Sequence, residues 1–166
     1  MEKFYKIFKT RWGFAGVIFN RNSIIKFILP MEHKNKIISQ IEGKNFSGHL
    51  DWLISFCQDI KKFFKGEKVD FIKYKLDLSV YTENEKKVLK NLRKIKYGKT
   101  ITYKELAEKV GIKNGARFIG NVMAKNRFPL IIPCHRVIKS NGEIGNFGYG
   151  KKYKENLLAL EKESKY

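Results

Sequence analysis

Residues 130–137 read Leu-Ile-Ile-Pro-Cys-His-Arg-Val, and they constrain the chain more than any other stretch. Three apolar residues, 130–132, read as a buried strand or extended segment. Pro133 then fixes its own backbone angle and donates no hydrogen bond, so regular structure stops there. A thiol, an imidazole and a guanidinium follow at once, as Cys134, His135 and Arg136. Neighbours on an extended chain point to opposite sides. Cys134 and His135 therefore need a turn or helical kink after Pro133 to cooperate, or a water between them. A cysteine beside a base and a cation can have a depressed pKa, and its thiolate is the nucleophile. A lone cysteine among apolar residues is also commonly an inert small hydrophobe. Spacing alone leaves both readings open.

Charge narrows the partner. The chain has 166 residues, with 35 Lys and Arg against 16 Asp and Glu, a formal net charge of +19. Such an excess favours a polyanion, nucleic acid first and an anionic membrane surface second. A heat-adapted surface would account for many charges but not for their one-sided sign. Two cysteines, Cys57 and Cys134, make no disulfide framework and point to a reducing cytoplasm. The start has no apolar signal core and no run reaches membrane-spanning length, so no membrane association is expected.

The first half reads as a small sheet with helices. Residues 5–8, 14–19 and 23–29 are aromatic or β-branched runs, with a hairpin turn at Asn20-Arg21-Asn22. A short helix is expected near 37–41 and a polar loop over 43–48. Apolar residues from 50 to 64 follow a helical period that Gly66 ends. Cys57 lies on that stripe and reads as core. Residues 69–78 alternate, as a strand or an extended linker.

The second half changes to helical signals. Thr82 with Glu85, and Thr102 with Glu105, are capping-box pairs, each opening an apolar helical face. After Gly111, Asn114 is a candidate cap for a further helix over about 115–125. Two short helices joined by a tight turn form a helix-turn-helix candidate, though an ordinary helical hairpin shares the pattern. Ala116 and Gly120 leave small side chains one turn apart, with Arg117 beside them. Such a face can approach a nucleic-acid groove or another helix. The expected architecture is α/β (α+β): an N-terminal β-sheet domain with helices over 1–78, and a mainly helical domain with the helix-turn-helix over 79–166.

These residues resemble the O6-alkylguanine-DNA alkyltransferases, also called methylated-DNA–protein-cysteine methyltransferases. Residues 133–137 resemble that family's active-site signature. Residues 98–103 resemble the segment opening the first helix of its helix-turn-helix, and 116–120 its recognition helix. Residues 126–137, 142–146 and 157–161 match its active-site loop and C-terminal part. The resemblance implies repair by direct reversal, with one alkyl group moved irreversibly from O6 of guanine in double-stranded DNA to Cys134. It implies His135 as base, Glu161 behind it, Tyr103 as donor to the departing guanine and Asn126 as organiser of the loop. It implies DNA contacts from Arg117, Tyr103, Ala116, Gly120 and Arg136, and a base pocket lined by Phe147, Gly148 and Val137. A monomer without cofactor is expected. Arg127 stands where the family commonly has proline, and Phe147 and Gly148 where many members have Tyr and Ser. No metal is expected, since the N-terminal half offers only His33, His49 and Cys57. Two rivals remain: a binding protein that recognises alkylated bases without chemistry, which would not need Cys134, and a helix-turn-helix regulator.

Overall fold

The computed structural model describes residues 1–164, in two compact units, Met1–Leu78 and Ser79–Ser164. In the first unit, strands β1 (Phe4–Thr10), β2 (Gly13–Phe19) and β3 (Ile24–Met31) form an antiparallel meander. A two-residue strand, β4 (Lys44–Asn45), adds in parallel to β1, giving the order β3-β2-β1-β4. The hairpin turn is held by Asn20, whose side-chain oxygen accepts from the N–H groups of Asn22 and Ser23. This is the local bonding that makes asparagine a turn residue.

Helix α1 (Lys34–Ile38) packs on β2 and β3, and α2 (Asp51–Phe64) packs on β1. The period of apolar residues along α2 becomes a face of Leu53, Phe56, Ile60, Phe63 and Phe64, all buried. Phe56 meets Phe27 and Tyr74 edge-on, with ring centroids 5.5 and 5.1 Å apart. Residues 69–78 form no strand beyond an isolated bridge between Ile24 and Leu76. Phe71 and Tyr74 anchor this stretch in the core. Cys57, expected in the core, is only half-buried. Burial still pushes its thiol up to about 11, against the nearby charges of Lys6 and Lys61.

In the second unit, α3 (Glu83–Leu92) and α4 (Tyr103–Lys109) each begin in a complete capping box, at Thr82–Glu85 and Thr102–Glu105. Each cap contributes about 1 kcal/mol. Helix α5 (Ala116–Ala124) follows α4, and α3, α4 and α5 pack on one another. The expected cap at Asn114 is not made. Gly115 is the N-cap, without a side-chain bond, and Asn114 sits in the left-handed region at φ 52°. The turn between α4 and α5 takes a positive φ at both Gly111 and Asn114, and asparagine tolerates it.

The apolar run at 130–132 is buried but is not a strand. Leu130 takes φ 73° and the chain turns there, closing a bridge between Pro129 and Ile132. After Pro133 comes a single 3-10 turn, Cys134–Arg136, which runs into β6 (Val137–Ile138). Strand β6 pairs in parallel with β5 (Ile101–Thr102). That ladder brings the start of α4 alongside the cysteine turn. Helix α6 (Lys151–Glu163) packs against the 3-10 turn and ends the described chain. Among the described residues, no helix is long and apolar enough to cross a membrane.

Candidate active site

The 3-10 turn places Cys134, His135 and Arg136 together inside the second unit, and none of the three is more than 6% exposed. Helix α6 faces them with Lys154, Leu157 and Glu161, a buried stripe at helical spacing. Glu161 is the hub. Its carboxylate accepts His135 Nε2 at 2.7 Å, Arg136 Nε at 3.0 Å and Nη2 at 2.8 Å, and the N–H of Gly98 at 3.0 Å. Gly98 makes that bond from φ 73°, a region costly for other residues. Against the penalty of burial, these bonds, the Arg136 guanidinium and, once acid protonates His135, its imidazolium hold Glu161 down to about 2.

Burial depresses the pKa of His135, and the cations of Arg136 and Lys154 add to the effect. Glu161 pulls the other way but is already neutralised by the two-pronged grip of Arg136. We assign His135 as neutral, its Nε2–H donating to Glu161. Its Nδ1 is then the acceptor nitrogen, and it has no hydrogen-bond partner among the described residues. In that tautomer Nδ1 can accept a proton.

Burial raises the pKa of Cys134, against a hydrogen bond from Asn126, the charge of Lys154, and the backbone N–H groups of Cys134 and His135. The depressed thiol pKa that the sequence allowed for is not what the fold produces at rest. Burial outweighs the nearby cation, so the sulfur waits as a thiol.

Asn126 sits in the loop after α5. It donates Nδ2–H to the Ile132 carbonyl and accepts the N–H of Phe128, both at 2.9 Å, so it fixes the turn through Leu130. Tyr103, the first residue of α4, has its phenol pushed up by burial and by Cys134, so it stays a donor. A side chain at Gly145 would come within 3.1 Å of the Tyr103 hydroxyl, so the loop carrying Phe147 and Gly148 runs alongside it. Phe147 packs at a tilt against Tyr149 and Tyr153, ring centroids 5.8 and 6.3 Å apart. Val137 is fully buried in β6.

On α5, Ala116 and Arg117 are exposed, and a side chain added at Gly120 would meet nothing within 4 Å. This face is open. Arg136 corrects the expectation of a DNA contact. It is buried, its Nε and Nη2 are spent on Glu161, Nη1 donates to the Ile95 carbonyl at 2.6 Å, and its plane lies over Tyr97.

Lys154 is the residue that sequence reasoning missed. It is fully buried, donates to the Val137 carbonyl at 2.6 Å and lies 5.8 Å over the Tyr103 ring. Burial lowers its amine to about 8, while the neighbouring Cys134 pulls it back up. Its place on the stripe of Leu157 and Glu161 was the available signal. Among the described residues, no three His, Cys, Asp or Glu side chains gather as metal ligands.

The arrangement is that of a protein built around one buried cysteine followed by an imidazole that a buried carboxylate holds. Comparison with known proteins agrees. Residues 83–163 match the family model of the 6-O-methylguanine DNA methyltransferase DNA-binding domain. A methylated-DNA–protein-cysteine methyltransferase of Methanocaldococcus jannaschii is 32% identical over 90% of this chain and 88% of its own length. That of Methanocaldococcus vulcanius is 33% identical over 92% and 93%. The structure of a Mycobacterium tuberculosis OGT in complex with DNA superposes with a TM-score of 0.81 at 27% identity, covering 96% of this chain and 92% of that one. The chain belongs to the methylated-DNA–protein-cysteine methyltransferase family.

Proposed function

We propose that the chain repairs DNA by direct reversal, taking the alkyl group from O6 of an alkylguanine in duplex DNA and keeping it on Cys134. The observation that carries this reading is the buried Cys134 thiol next to His135, whose Nε2 is held by Glu161. His135 takes the thiol proton through a bridging water. The sulfur then forms a bond to the alkyl carbon as the carbon–O6 bond breaks, and the guanine departs with the electron pair. Tyr103 donates a proton or hydrogen bond to the leaving ring. Asn126 and the Lys154 cation stabilise the thiolate, and the grip of Arg136 keeps Glu161 ionised.

A buried sulfur cannot reach a stacked base, so the nucleotide must be turned out of the helix. Arg117 enters the duplex in its place, while Ala116 and Gly120 let α5 approach. Phe147 stacks on the extruded base, and Gly148 and Val137 complete its pocket. The thioether product has no easy reverse path, so each molecule acts once. The displacement is direct and calls for no cofactor. We further propose a monomer working in a reducing cytoplasm, where both cysteines stay free, with no role for a membrane.

Peptide mass mapping after incubation with O6-methylguanine duplex tests the reading. One methyl per chain is expected, on Cys134. Methyl on Cys57, full activity in Cys134→Ala, or tight binding without transfer would overturn it, the last in favour of a non-catalytic reader of alkylated bases.

A further inference from the structure

Tyr81 stands just before the Thr82 cap of α3, outside every motif considered above. It is buried beside Phe128, ring centroids 6.4 Å apart. Its hydroxyl makes two hydrogen bonds far along the chain, donating to the Lys125 carbonyl at 2.9 Å and accepting the N–H of Arg127 at 2.8 Å. Those two partners bracket Asn126, which pins Phe128 and donates to the Ile132 carbonyl at 2.9 Å, the same carbonyl that accepts the Cys134 N–H at 2.8 Å. The Asn126 amide also lowers the pKa of the Cys134 thiol against its burial. The same loop is tied a second time, by the Lys125–Glu85 ion pair at 2.8 Å, to the capping box that Tyr81 precedes. With arginine at 127, no proline ring sets this loop's backbone angle from within. A proline could not share the site with this tyrosine, because its ring carbon would stand where the N–H now points at the hydroxyl oxygen.

We propose that Tyr81 is a positioning residue for alkyl transfer: its hydroxyl, bridging Lys125 and Arg127, holds Asn126 against the Cys134 sulfur. This rests on the reading of Cys134 as the alkyl acceptor. Other groups also face the sulfur: Lys154 from α6, Tyr103 from α4, and the adjoining His135 with Glu161 and Arg136 behind it. The Tyr81 contribution must therefore be separated from theirs by its dependence on Asn126.

The test uses the full chain and two reagents, methylated duplex DNA and iodoacetamide, across a pH series. Tyr81→Phe keeps the ring and removes only the bridge. It should slow both reactions roughly three- to tenfold, the scale of one hydrogen bond, and move the midpoint of the pH profile upward. In an Asn126→Ala background the same change should do neither, because a residue acting through Asn126 has nothing left to position. A wild-type profile in Tyr81→Phe overturns the proposal, and so does an effect that adds in full to that of Asn126→Ala. Amide exchange in the wild-type protein gives a check that does not depend on a folded variant. The Arg127 N–H should be protected as core amides are, and free exchange would overturn the bridge. If wild type reacts with iodoacetamide in this pattern but takes no methyl from DNA, the alkyl-transfer reading fails while the bridge stands.

Discussion

At His135 the fold decides a protonation state that the side chain alone leaves open. Free imidazole titrates near neutrality, but burial and two nearby cations depress His135. Its base form should therefore persist below the usual histidine range. Burial raises Cys134, so the transfer rate should instead climb on the alkaline side of neutral. A single-turnover pH series on methylated duplex checks both limbs. His135→Ala should slow transfer by roughly 10²–10⁴, the usual scale for a positioned base, and an unchanged rate would exclude the assignment. Glu161 links the same site to stability. Its folded pKa, about 2, lies below the ordinary 4.5. Its stabilisation is thus fully present above about pH 4.5 and is lost as pH falls towards 2. The full amount is about 3 kcal/mol, of which about 2 kcal/mol should be lost between pH 5 and pH 3 in denaturant unfolding. Glu161→Gln should remove most of that dependence.

Helix α6 serves the site with one stripe, where Lys154, Leu157 and Glu161 are all buried. Leu157 fills the core, Lys154 bonds the Val137 carbonyl just after the cysteine turn, and Glu161 bonds His135 and Arg136 within it. Lys154→Met should keep the packing but remove the cation that lowers the Cys134 pKa, shifting the thiol's alkylation profile to higher pH. An unmoved profile would show that the amine serves only the Val137 carbonyl. Helix α5 has a separate task. Arg117 is exposed on it, while the Cys134 site is buried. If Arg117 holds the extruded nucleotide, Arg117→Ala should slow transfer from methylated duplex strongly and from O6-benzylguanine as a free base little. Equal losses on both would assign Arg117 to the fold or the chemistry instead.

Across the whole molecule the dominant quantity is the net charge of +19. It implies that affinity for DNA comes mainly from phosphate contacts and is indifferent to base order. Binding to undamaged duplex should fall steeply with salt, with a logarithmic slope of about −0.9 per phosphate neutralised. Titrations at several salt concentrations measure it. A flat response, or strong preference for one short sequence, would favour a regulator over a repair protein.

What the sequence determined by itself is whatever depends on near neighbours. The capping boxes at Thr82 and Thr102, the period of α2, the Asn20 turn and the break at Pro133 each follow from contacts a few residues apart. The family was legible for the same reason, because its signature lies in short runs. Tertiary structure decided the rest. Asn114 gave up its capping role because the turn between α4 and α5 needs a positive φ. Residues 130–132 turn rather than extend because Asn126 bonds across them. Arg136 points inward because a carboxylate 25 residues away needs a cation where water is excluded. The protonation states of Cys134, His135 and Lys154 follow from burial beside partners brought from other elements, and spacing along a chain cannot express burial.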